Sequence, residues 1–409
     1  MIFREIPPSA GLPLRLKDFS VLFKAGSGGC LAEDFKKYIG ASYARVVCSG
    51  TAALYFILET LKELSDKRTV VIPSYICTLV PLAVKRAGLK VEVCDIGGKD
   101  FNYDDTALKD ICSGNDDILA ILAVHLAGIP VDIDSVRETA AGKKIFIIED
   151  CAQSLGAAYK GKRTGALGDF SFFSLCRGKG LTIYEGGVVV TESSRYAAAL
   201  DRTIERLEKA DLLSEALKVL ELFGYWLFYR PLFFWFIHRL PEIFWRLLGK
   251  RYRAEGEYFD NINFPTHTVS YIRKAIGHSA FSRLDEAIAL QRRKASFYTE
   301  ALKGAEGIRI IKERPGASPS APYVMLILDE PERREEVLRM LGRSGLGISY
   351  VYSSAIADYP YLKDVVGGAD CPNARRLAAG EITLSTSGYL SPGDLEAIVN
   401  SLRLILYRR

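Results

Sequence analysis

Lys179 stands between Gly178 and Gly180 in a segment that reads GDFSFFSLCRGKGLTIYEGG from Gly168 to Gly187. A strand ending near Ser174 would deliver this lysine into a glycine-bounded loop, where a neutral amine can attack an aldehyde and form a Schiff base. Lysine is mostly a solvated surface residue, so an ordinary exposed loop fits the same residues. Upstream, Glu149 and Asp150 close the apolar run KIFII, and Gln153 follows three positions on. A carboxylate at such a strand end can face a crevice and stay ionised against a cationic ring nitrogen. Gln153 can set an amide beside the same ligand, or Asp150 can simply cap its own loop. A third place is CSGTAAL, Cys48 to Leu54, where a strand hands over to a helix through Gly50. Its free N–H groups and helix dipole suit a phosphate, although a capped helix without a ligand satisfies the same residues.

These groups need a scaffold that brings strand ends together. Strand-length apolar runs recur at 45–48, 69–72, 91–94, 118–124, 145–148, 170–174 and 187–191, several rich in Val and Ile as strands buried on both faces are. Helical stretches lie between some of them, at 51–64 with Thr51 as its cap, 77–87 and 133–141. This alternation predicts an α/β fold with a mostly parallel sheet flanked by helices. Helices are expected at 196–220 and 279–302. A smaller α+β tail is expected from strands at 323–328, 348–352 and 382–385 and helices at 332–344 and 392–406. The expected division is a large α/β domain over 1–200, a helical aromatic and basic insertion over 201–262, and a small domain over 263–409.

With 49% apolar and 25% charged residues, the composition excludes a disordered chain or a coiled coil. A net charge of +5 over 409 residues is too small to argue for nucleic-acid binding. The eight cysteines form no C-x-x-C pair and there are only four histidines, so no metal site is expected. MIFREIPPSAGLPLRL lacks the apolar core of a signal peptide, and the cysteines read as reduced thiols of a cytoplasmic protein.

Taken together, the three segments resemble the fold-type I pyridoxal-phosphate aminotransferases of the DegT/DnrJ/StrS group, which aminate keto sugars on nucleotide carriers. Ser49 to Leu54 matches the family's S-G-T-x-A-L, and Glu149 to Gly156 its E-D-x-A-[QH]-x-x-G. Gly168 to Gly187 matches the lysine motif without a gap, with Leu175 in place of its second Phe. LAVHLAGIP, Leu122 to Pro130, resembles the V-H-L-x-G stretch between them. The resemblance implies that Lys179 binds the cofactor aldehyde and later moves the proton, and that Asp150 pairs with the pyridine nitrogen. It implies that Gln153 lies near the ring's phenolic oxygen and that Thr51, Ala52 and the Ser174 hydroxyl hold the phosphate. It further implies a glutamate donor, a homodimer with shared active sites and a place in polysaccharide biosynthesis. Relatives with His in place of the lysine catalyse dehydration, so Lys179 favours transamination. A sugar dehydratase, or a non-catalytic membrane-associated scaffold or regulator of this fold, is the alternative.

Three departures from the pattern bear on the site. Cys77 occupies the position of the ring-stacking aromatic, so the thiol or nearby Tyr75 takes that role, or the ring is held less tightly. Thr266-His267-Thr268 replaces the N-Y-R segment that reaches the partner's cofactor phosphate, and His267 reads equally as that contact or as an exposed loop histidine. Finally, residues 222–253 hold all three tryptophans, Trp226, Trp235 and Trp245. Arg230, Arg239, Arg246, Lys250, Arg251 and Arg253 stand there against one acid, Glu242. Arg230-Pro231 and Pro241 are expected to break this run into pieces too short to span a bilayer. Interleaved rings and cations suit the headgroup boundary at the inner face of a membrane, while a subunit interface or a cover over the core would also bury them. With membrane contact, the keto sugar would be attached to a lipid carrier or used beside membrane enzymes.

Overall fold

The computed structural model describes residues 4–9, 11–23, 30–249 and 262–407. Its first half builds a seven-stranded sheet from β1 (Tyr43–Val47), β2 (Thr69–Pro73), β3 (Lys90–Cys94), β4 (Ile118–Val124), β5 (Phe146–Asp150), β6 (Phe170–Ser174) and β7 (Gly187–Thr191). The order is β1-β7-β6-β5-β4-β2-β3, and only β7 runs against its neighbours. Two-residue periodicity sends alternate side chains to opposite faces. Val70 and Ile72 therefore join one core with α2 (Gly50–Leu64), whereas Val71 joins another with α4 (Asp105–Gly114) and α5 (Ile133–Ala140). Both faces are thus covered, as the Val/Ile-rich runs predict.

Helix boundaries shift by a few residues for identifiable reasons. Ser49, not Thr51, caps α2, with its Oγ accepting the Ala52 N–H at 3.0 Å. The helix expected from Cys77 begins at Leu79 as α3 (Leu79–Arg86). The long candidate at 279–302 divides into α9 (Tyr271–Phe281) and α10 (Leu284–Ala301), because Arg283 between them turns inward to Asp18 and the Pro13 carbonyl. The expected strand at 348–352 makes only a bridge from Ser349 to Thr383, since Gly345 and Gly347 at positive φ turn the chain just ahead of it.

A second, three-stranded antiparallel sheet joins β8 (Ile308–Ile310), β9 (Tyr323–Leu328) and β10 (Glu381–Ser385). Strand alternation again decides what faces what. Val324, Leu326 and Leu328 pack on α11 (Pro331–Leu341) and α13 (Pro392–Leu406), whereas Tyr323, Met325 and Ile327 face Tyr75, Ile96 and Leu126 of the large domain. The expected boundary at 263 falls one helix ahead of the change of core: Ile276, Ala280, Leu284 and Ile288 belong to the large core, and Tyr298 opens the small one.

The insertion is a helical hairpin, α7 (Leu212–Phe228) and α8 (Pro231–Leu247), with its bend at the expected Arg230-Pro231 step. Pro241 does not break α8 but lies inside it, on a solvent-facing turn where losing one backbone hydrogen bond is tolerable. Residues 250–253 and the side chains of Arg239, Glu242 and Arg246 lie outside the description. No helix among the described residues is long and apolar enough to cross a membrane.

Candidate active site

At the carboxyl ends of β1, β5 and β6 the chain leaves a cavity of about 1040 Å³, the place where an open α/β sheet binds ligands. Thr51, Asp150, Gln153, Ser174 and Lys179 all line it. Ala52 does not, and its backbone N–H is held by the Ser49 side chain.

The lysine loop is fastened at several points. Leu175 N–H bonds the Gly186 carbonyl at 2.7 Å, and the Ile183 N–H and Thr182 hydroxyl both reach the Leu175 carbonyl. Gly178 takes φ +73°, and a Cβ there would sit 2.4 Å from Ser9 Oγ, so only glycine fits beside Lys179. At the far end of the loop, a Cβ on Gly187 would sit 2.3 Å from the Ser49 carbonyl. This glycine lets β7 run against the start of α2 and brings Ser174 beside Gly50. Lys179 Nζ makes no hydrogen bond or ion pair with a described residue and faces Asp150 across the cavity, near enough for its charge to favour the carboxylate.

Asp150 is buried. Burial raises its pKa above the ordinary 3.8, while the Ala152 N–H, Lys179 and His125 pull the other way. Its Oδ1 accepts that N–H at 2.9 Å, and among the described residues its Oδ2 has no hydrogen-bond partner. A buried acid with an open oxygen fits a protonated ring nitrogen. The N-terminus of α2, with the Ser174 hydroxyl beside it, fits a phosphate.

Gln153 is oriented by partners far apart in sequence. Its Oε1 accepts from the Ala127 N–H at 3.0 Å and from the Tyr323 hydroxyl, which turns Nε2 toward the Tyr352 hydroxyl at 3.5 Å. Burial raises the pKa of both phenols, so both stay protonated, Tyr323 donating to Gln153 and Tyr352 accepting from it. Cys77 lines the cavity, whereas Tyr75 points away and donates to Glu381 at 3.1 Å.

Several neighbours of the site have partners that the motifs did not assign. His125 Nδ1 accepts the Val131 N–H at 3.1 Å, so Nε2 carries the proton and donates to Glu149 at 2.9 Å. Glu149 also gathers the N–H groups of Gly165, Leu167 and Gly168. His125, Glu149 and Cys151 place donors within 4.8 Å of one another, but these bonds occupy the histidine and the acid, leaving no open set of ligands. His267 is buried, not exposed. Its Nδ1 contacts Glu215 at 3.0 Å, and the ring is not among those lining the cavity. Fully buried Arg273 binds the same Glu215 and reaches the carbonyls of Ile183 and Glu185, tying the insertion to the lysine loop.

Residues 29–210 and 246–403 match the model of the DegT/DnrJ/EryC1/StrS aminotransferase family. The chain belongs to this family. It is 25% identical over 388 residues to UDP-4-amino-4,6-dideoxy-N-acetyl-beta-L-altrosamine transaminase of Campylobacter jejuni, covering 93% of this chain and 91% of that one. Among solved structures it resembles Helicobacter pylori PseC, an aminotransferase involved in the biosynthesis of pseudoaminic acid. The TM-score is 0.76 at 18% identity, over 98% of this chain and 99% of that one. It also resembles Escherichia coli GDP-4-keto-6-deoxy-D-mannose-3-dehydratase with bound hydrated PLP. There the TM-score is 0.74 at 18% identity, over 99% of this chain and all of that one (100%). Family and fold agree with the α/β, fold-type I expectation and with pyridoxal phosphate as the cofactor.

Proposed function

We propose that this aminotransferase moves an amino group from glutamate to a keto sugar held on a nucleotide carrier. The observation that carries the reading is one cavity holding Lys179, Asp150 and the α2 N-terminus together. When bound, pyridoxal phosphate supplies an electron sink that makes the bond to the substrate α-proton labile. The side chains divide the remaining work. Lys179 Nζ is the amine for the cofactor's aldehyde carbon, and it carries the proton between the two carbons exchanging it. Asp150 holds the ring nitrogen protonated. Gln153 Nε2 would face the phenolic oxygen, while Thr51, Ala52 and Ser174 would hold the phosphate, Ala52 exchanging its N–H from Ser49 to the ligand. The lysine favours transamination over the dehydration of relatives with His at this position.

The proposal extends to a cytoplasmic homodimer whose insertion touches the inner face of the membrane. Exposed Leu, Phe and Ile side chains along α7 and α8 support that contact. A cofactor spectrum followed by a half-reaction screen tests the core of the reading. The protein should be yellow, Lys179→Ala should lose the visible band, and glutamate should convert the cofactor to its amine form until a keto sugar restores it. A colourless protein that takes up no pyridoxal phosphate overturns it.

A further inference from the structure

Residues 211–245 lie outside the match to the family model, and the α7–α8 hairpin occupies that stretch. It nevertheless walls the active site. Tyr225, Phe228, Tyr229, Phe234 and Ile237 line the cavity that holds Lys179, with the Tyr225 and Tyr229 rings stacked at 4.3 Å. Tyr225 and Phe234 are buried, whereas Phe228 remains 41% exposed. The hairpin thus offers an aromatic ring at the open side of the cavity.

Arg177 lines the same cavity two residues before Lys179. Among the described residues no carboxylate forms an ion pair with it. Glu185 and Glu221, which also line the cavity, both bind Lys218, at 2.7 and 3.0 Å. The guanidinium lies 5.1 Å from the Tyr184 ring centroid, and Lys218 Nζ lies 5.4 Å from the same ring. Tyr184 takes φ +75°, a left-handed backbone that residues with a Cβ seldom adopt. Such strain persists only where the surroundings hold it, and here it presents the ring to both cations. Of the three basic residues lining the cavity, His125 is engaged by Glu149 and Lys179 faces Asp150. Arg177 is the one left for a ligand's negative charge.

We infer that Arg177 and Phe228 form the subsite for the nucleotide of the acceptor, Arg177 pairing with its diphosphate and Phe228 stacking on its base. The inference rests on the aminotransferase reading and adds to it the residues that select the carrier. An acceptor whose carbonyl carbon reaches Lys179 Nζ must run its carrier toward the open side of the cavity. Asp150, 6% exposed, marks the closed side, and exposed Arg177 and Phe228 mark the open one. There a diphosphate meets a planar fork of N–H donors that matches phosphate oxygens. The base beyond it meets an aromatic face. Glutamate, the other anion of the reaction, has a carboxylate for Arg177 but no ring for Phe228. Nor does so small a donor call for a cavity of 1040 Å³, at the upper end of the usual ~300–1,000 Å³ for ligand pockets.

Calorimetry on the holoenzyme with UDP, GDP, TDP and their nucleosides separates the two contacts. The diphosphate that binds best should bind at least about tenfold more tightly than its own nucleoside. Arg177→Gln should reduce that advantage to about twofold or less, and Arg177→Lys should restore part of it, because the charge is kept. Phe228→Ser should weaken diphosphate and nucleoside alike, by about tenfold. A diphosphate no tighter than its nucleoside overturns the inference. So does an advantage that Arg177→Gln leaves intact, or nucleoside binding that survives Phe228→Ser. Two further results reassign the cation and overturn it as well. If Arg177→Gln raises the glutamate needed to convert the cofactor more than it weakens the diphosphate, the cation serves the donor. If that variant sheds pyridoxal phosphate on dialysis, the cation serves the cofactor. Conversion of the cofactor by glutamate in the unaltered protein is measured in the same samples. If it proceeds while the nucleotide arms fail, only the subsite is wrong; if it fails, the aminotransferase reading falls.

Discussion

Asp150 shows how burial prepares a residue for a ligand. In the protein without cofactor its pKa lies above the ordinary 3.8, with burial the largest cause. The folded state therefore holds this proton more tightly than the unfolded chain, and stability falls as pH rises from the ordinary value through the raised one. Asp150→Asn should remove that cost, so cofactor-free protein at neutral pH should melt roughly 2 °C higher in the variant, with the difference gone in acid. Cofactor should reverse the ranking, because only the carboxylate gains from a protonated ring. Thermal scans with and without pyridoxal phosphate, across pH, check both halves. Gly187 is the backbone counterpart. A methyl group 2.3 Å from the Ser49 carbonyl must push β7 away from the start of α2. Gly187→Ala should cost about 1–3 kcal/mol in denaturant unfolding and weaken retention of the cofactor on dialysis.

Among the elements, the hairpin depends on one buried cluster. Burial opposes the Glu215 charge, but hydrogen bonds from His267 and Arg273 outweigh it and bring the pKa down to about 2. The hydrogen bond that His267 donates to Glu215 raises the histidine's pKa, against burial. The acid's contribution is present above its ordinary 4.5 and is lost as pH falls from there toward 2. The histidine's contribution is full below its ordinary 6.5 and is lost as pH rises through the raised value. Docking of α7 should therefore be firmest between those limits. Tryptophan emission against pH should show a plateau bounded by an acidic and a basic transition. Glu215→Gln should flatten the acidic one and, since Arg273 also grips the lysine loop, lower activity several-fold. An acidic transition unchanged in that variant would refute the assignment.

In the molecule as a whole, the two domains meet across the active site. Alternation along β9 sends Tyr323 to the large domain, where its hydroxyl orients Gln153. Glu381 on β10 accepts from both Tyr75 and the Val351 N–H, which holds the segment carrying Tyr352 over the cavity. Tyr323→Phe should keep the fold and the lysine linkage but free the Gln153 amide. The expected result is a shifted cofactor absorption maximum and a kcat lowered by about tenfold with a smaller change in KM.

Much of this was legible from the order of residues. Apolar period and strand composition indicate a mostly parallel sheet covered by helices, because strands buried on both faces read as near-continuous Val/Ile-rich runs. Three short motifs, each joining a strand end to the turn after it, point to Lys179, Asp150 and Gln153, and the family resemblance they carry implies Thr51 and Ser174. Partners distant in the chain left no comparable trace. Tyr323 over Gln153, Arg273 on the lysine loop, His267 buried against Glu215 and the hairpin as a cavity wall arise from packing between elements. No local periodicity encodes such contacts. Local chemistry is written along the chain, whereas the company each side chain keeps depends on how the layers close.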